Sequence, residues 1–121
     1  MSLETFYEAV GGDLADVRGR LQSDDRIERF VGVFLQDATY GQLIEAAAAE
    51  DLEAEFRAAH TLKGSGRDMG FTRLSDAASE LAEALRPGTD GARPAPERAP
   101  ELTQLVSAAY DELLAAAQVH L

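Results

Sequence analysis

Apolar residues recur at helical spacing along almost the whole chain, and no segment sustains the alternation that a half-buried strand requires. All four prolines lie between Pro87 and Pro100, so the stretches on either side carry nothing that forbids a helix. Together these features point to an all-α fold, and 121 residues suit one compact domain with little room for a second.

Read in order, a short helix is expected from Leu3 to Val10, ended by Gly11 and Gly12, and a second from Asp13 to Leu21. Ser23, Asp24 and Asp25 offer a cap followed by acids where they complement the helix dipole. Ile27, Phe30, Val31, Phe34 and Leu35 then mark one apolar face. The pattern runs on through Leu43, Ile44 and Ala47 as one long helix, with Gly41 as its weak point. A turn at Glu50 and Asp51 leads into a helix from Leu52 to Arg67, stopped by Gly70. The next helix, Thr72 to Arg86, has Thr72 or Ser75 as its cap and an apolar face of Leu74, Ala77, Ala78, Leu81, Ala84 and Leu85. Residues 87–100 read as a mobile loop. A final helix from Glu101 to Val119 carries Leu102, Leu105, Val106, Ala109, Leu113 and Ala116 on one side. The expected architecture is an antiparallel four-helix bundle over residues 23–119, with a short helical segment at 1–22 covering one end.

The function classes narrow next. A net charge of −11 disfavours nucleic acid or an anionic membrane as a partner. No cysteine is present, which removes disulfides, thiol catalysis and cysteine-ligated zinc. The N-terminus does not read as a signal peptide, and no run approaches the ~20 apolar residues of a membrane span. The chain is therefore expected to be soluble and cytoplasmic.

Of the two histidines, His120 is next to last and is expected to be a solvated end, whereas His60 lies mid-helix. At about 100° per residue, Leu52, Phe56, Ala59, Leu62 and Gly66 share the core side of that helix. His60 sits on the flank, with Arg57, Lys63, Gly64 and Arg67 around it on the outward side. An imidazole is a nucleophile with an accessible neutral form near neutral pH. Lys63, the only lysine beside ten arginines, is one turn on and within reach of an anion on that ring. Gly64 costs its helix about 1 kcal/mol relative to alanine, which makes sense if something must come close. Each feature alone has an ordinary explanation: a solvated histidine, a chance lysine, glycines for close helix packing. Metal binding is disfavoured by the lack of a second ligand at helical spacing. Hydrolysis is disfavoured because Ser65 points to another side of the helix.

The string Ala59-His60-Thr61-Leu62-Lys63-Gly64-Ser65, followed by Met69-Gly70, closely resembles the motif of the histidine-containing phosphotransfer (HPt) family. Phe30 to Asp37 resembles that family's first bundle helix, Glu50-Asp51-Leu52 its turn before the histidine helix, and Leu74 to Arg86 the helix that follows. Roughly 95 of the 121 residues fit the layout. The resemblance implies that His60 is the phosphoacceptor, with Lys63 and Gly64 as its supports. It implies traffic with response-regulator receiver domains or a hybrid sensor kinase, with no cofactor and no metal of its own. Arg67 and Asp68 depart from the small or neutral residues usual there. Arg67 is expected to add charge near the phosphate and Asp68 to cap the helix, while Phe56 and Arg57 are further candidates for partner or phosphate contact. Nothing resembles an ATP-binding box or a P-loop, so a phosphoryl carrier without autokinase activity is expected, as a monomer. The competing reading is a pure interaction module whose phosphorylation is vestigial. A helical DNA-binding protein is a poor fit to the acidic surface.

Overall fold

The computed structural model describes residues 2–121, and over these the only regular secondary structure is helical. Seven α-helices follow one another: α1 (Leu3–Ala9), α2 (Leu14–Leu21), α3 (Asp24–Gln36), α4 (Thr39–Ala48), α5 (Leu52–Asp68), α6 (Thr72–Leu85) and α7 (Ala99–His120), with a 3₁₀ turn at Pro96–Arg98. Side-chain oxygens of Ser2, Asp13, Ser23 and Asp51 each accept a backbone N–H three residues on, so four of the helix starts are capped as their sequences dictate. Among the described residues no helix is long and apolar enough to cross a membrane.

The helical-bundle class expected from the apolar spacing is the one observed. Helix α5 packs against both α4 and α6, α6 against α7, and α7 closes the ring on α4. Helix α1 lies on α7, and α2 on α3. The core runs through Ile27, Val31, Leu43, Ala59, Leu62, Leu74, Leu81, Leu85, Leu102, Val106 and Leu113. One end is sealed by aromatic rings: Phe71 meets Phe6, Tyr7 and Phe34 with centroids 5.0–6.1 Å apart.

Several expectations need correction. The long helix from Ser23 to Ala47 is two helices, broken at Asp37 and Ala38 and not at Gly41. Asp37 turns extended, and its carboxylate accepts the Thr39 N–H at 2.8 Å, an Asx turn that competes with continued helix. Phe30, Ile44 and Leu105, assigned to buried faces, are exposed. The buried stripe of α3 is the narrower Ile27, Val31, Phe34 set, and Phe30 falls on its flank. Helix α6 is capped by neither Thr72 nor Ser75: its N-cap position is Phe71, and the Ser75 hydroxyl donates instead to the Lys63 carbonyl at 3.0 Å. The proline-rich stretch is shorter as a loop than expected. Ala95 N–H donates to the Ala84 carbonyl at 3.0 Å, and α7 begins at the buried Ala99, with Pro100 in its first turn.

The connection after α5 fixes the rest. Gly70 has φ +70°, and a Cβ there would fall 2.7 Å from the Asp13 carbonyl oxygen and 2.7 Å from Val17 Cγ2. Replacing Gly70 with alanine should therefore cost about 2–4 kcal/mol, through the left-handed backbone and the displaced neighbours. Chemical denaturation measures it, and a loss under ~0.5 kcal/mol, the range of an inert surface change, would contradict this account of the turn.

Candidate functional site

Helix α5 has seventeen residues and carries every residue singled out around His60. Asp51 caps its start and Glu53 sits in the first turn, both favourable at the positive end of the helix dipole. Ala58, Ala59, Leu62 and Gly66 bury its inner side. A Cβ on Gly66 would lie 3.5 Å from the Ser75 backbone nitrogen, so the small residue lets α5 and α6 approach closely.

The far end of α5 is held by the N-terminal helices. The Tyr7 hydroxyl donates to the Met69 carbonyl at 2.7 Å, the Asp13 N–H to the Gly70 carbonyl at 2.9 Å, and the Arg20 guanidinium to the Asp68 carbonyl. These donors satisfy acceptors that a helix end leaves open. Burial drives the Tyr7 hydroxyl well above the usual phenol range, so it remains a donor at any ordinary pH. The Asp68 carboxylate makes no hydrogen bond among the described residues. The capping expected of Asp68 is not observed: the contact there is Arg20 on its backbone.

On this anchored rod His60 is exposed. Its ring stacks on Phe56, one turn earlier, with centroids 5.9 Å apart and planes 24° from parallel. Phe56 is half-buried and leans on the core, so it gives the imidazole a firm backing on one side. Lys63 is half-buried on the next turn, and none of the ion pairs among the described residues involves it. Gly64 faces open space: a Cβ there would meet no atom within 4 Å. Its missing side chain therefore serves no packing within this chain. Ser65 turns its hydroxyl back to the Thr61 carbonyl at 3.2 Å and is engaged with its own helix.

The remaining candidates lie around this centre. Arg57 pairs with Glu53 at 2.8 Å, an exposed i, i+4 contact that contributes little and is readily given up. It also lines an open groove between α4 and α5 with Thr61 and Gln42. Arg67, two turns beyond His60, opens onto a different recess, shared with Asp13, Asp16 and Asp76 near α2 and α6. His120 ends α7. Among the described residues no three His, Cys, Asp or Glu side chains come together as a metal-binding group.

Two features escaped the sequence reading. Phe30 and Val33 are 40% and 59% exposed, and they flank a shallow apolar recess that reaches Thr61 and Ser65 on α5. Glu55 is 2% exposed, in the core side of the histidine helix. At about 100° per residue Glu55 falls between Leu62 and Gly66, a signal that was present in the spacing.

An exposed imidazole backed by a ring, an unpaired ammonium one turn away and a cleared approach meet the needs of phosphoryl transfer, which asks for positioning and charge neutralisation. A family model, the Hpt domain, matches residues 2–118. Comparison with curated proteins and with solved structures gave no match. The family match takes in the N-terminal helices that hold α5 as well as the histidine helix itself, and the chain belongs to the Hpt domain family.

Proposed function

We infer that this chain, as a member of the Hpt domain family, is a phosphotransfer carrier of two-component phosphorelays, working with receiver domains and kinases. We propose that in this chain His60 is the phosphoacceptor, taking its phosphoryl group from a receiver aspartate and passing it to a second receiver. A lone pair of the imidazole attacks phosphorus, the N–P bond forms as the acyl phosphate O–P bond breaks, and the aspartate leaves as carboxylate. The reverse step discharges the carrier. Lys63 offsets the charge on the phosphoryl oxygens, and Gly64 leaves room for the group and for the receiver that brings it. The observation that carries this reading is the open space over Gly64 beside an exposed His60 and an unpaired Lys63.

Phe56 sets the ring's orientation in this proposal. The exposed Phe30 and Val33 extend the same face with apolar surface on which a receiver seats. Arg57 is free to leave Glu53 for an incoming anion. The carrier role needs no ATP site, cofactor or metal on this chain.

Transfer from a labelled phospho-receiver tests each part. His60→Gln is expected to take up no label while its helical content and stability stay those of the wild type; a His60→Gln chain that still accepts phosphate removes His60 from the role. Lys63→Ala is expected to slow transfer by about tenfold to a hundredfold, the loss of one charge-stabilising contact. An unchanged rate refutes its part. Gly64→Ala separates function from folding: the helix gains about 0.5–1 kcal/mol, since the new methyl meets nothing, yet transfer slows. Equal transfer by the more stable variant would show that the space over Gly64 is not used.

A further inference from the structure

A cavity of about 720 Å³ lies at the end of the bundle where α4, the start of α5 and the 3₁₀ turn leading into α7 converge. That size suits a small organic ligand. Ile44, Leu52, Ala99 and Pro100 give it apolar walls. Its charged lining is entirely acidic: Glu50 ahead of α5, Glu97 on the 3₁₀ turn and Glu55 on α5 itself.

Glu55 is the informative member. It is 2% exposed, and its Oε2 accepts the Thr103 hydroxyl of α7 at 2.6 Å. Its other oxygen has no hydrogen-bond donor among the described residues, yet it is not sealed within protein, because no fully enclosed side-chain oxygen lacks a partner. It keeps some solvent access, and Glu55 is among the residues that line the cavity. That oxygen is open to water and to any N–H donor that enters the cavity. A ligand N–H would satisfy it.

We infer that this cavity is a binding site for a small organic ammonium ion, its cationic head hydrogen-bonded to Glu55 and its apolar body lying against Ile44, Leu52 and Pro100. Three carboxylates and no basic side chain line the space, so the charge favours a cation over an anion or a neutral molecule. Glu55 is five residues from His60, about 140° around α5, so the site is separate from the phosphoryl face. Burial raises the Glu55 carboxyl above the usual carboxylate range, against which the Thr103 bond works only in part. An ammonium ion prefers the ionised form, so binding should strengthen as pH rises through the Glu55 titration.

The test is titration of the intact chain with n-hexylammonium, followed by NMR of the Ile44, Leu52, Ala99 and Thr103 resonances, with hexanol and hexanoate as matched probes. Saturable shifts with n-hexylammonium, at least tenfold weaker with hexanol and absent with hexanoate, are expected. Glu55→Gln, which keeps the shape and an acceptor for Thr103, should weaken n-hexylammonium binding at least tenfold and remove its Glu55-linked pH dependence. Ala48→Phe, a change at an exposed position on the cavity wall, should block it. His60→Gln should bind as the wild type does. No saturable shift, equal binding of hexanol, or full binding by Glu55→Gln would overturn the inference.

Discussion

The close approach of α5 to α6 around the turn at Gly70 is the constraint on which the molecule depends. Gly66 lets the two backbones meet, and Gly70 takes a left-handed conformation between Asp13 and Val17 that leaves no room for a side chain. Three donors from the N-terminal helices then close on consecutive carbonyls: Asp68, Met69 and Gly70. The end of the histidine helix is thereby fixed from two sides, by α6 through packing and by α1 and α2 through hydrogen bonds.

A helix held so firmly can afford an outer face given over to chemistry. His60 is exposed without being loose, because its helix is buried below and Phe56 backs its ring. Ser75 reaches across from α6 to the Lys63 carbonyl, which ties down the backbone next to the site while the Lys63 ammonium stays unpaired. The small residues of this face divide into two kinds. Gly66 is used inside the fold, whereas Gly64 is used by nothing in the fold. Gly19, Gly32 and Gly41 also meet nothing within the chain, so what marks Gly64 is its place beside His60 and Lys63.

Much of this was legible in the sequence. The helical period points to the class, Ser23 reads as the cap that it is, and the spacing around His60 separates an inner side from an outer one. What was missed has physical causes. Asp37 ended a helix through a side-chain hydrogen bond to Thr39, a local competitor that apolar periodicity does not register, while the conspicuous Gly41 was accommodated within α4. Phe30 and Ile44 fit the apolar period of their helices yet lie exposed, because folded surfaces retain many such residues. Glu55 was overlooked for the opposite reason: a charged residue reads as outward even where the helical projection puts it inside. The grouping of Arg67 with Asp13, Asp16 and Asp76 depends on how α2 and α6 meet, and no local pattern encodes it.

The central claim is that His60 carries the phosphoryl group, and locating that group chemically on the wild-type chain tests it most directly. After incubation with a phosphorylated receiver, the protein would be digested and sequenced by mass spectrometry under alkaline conditions, which preserve phosphohistidine. One phosphoryl group on His60, lost on brief acid treatment, is the predicted result. A phosphoryl group on His120, an acid-stable one on a serine or threonine, or a chain left unmodified by every receiver tried would contradict it.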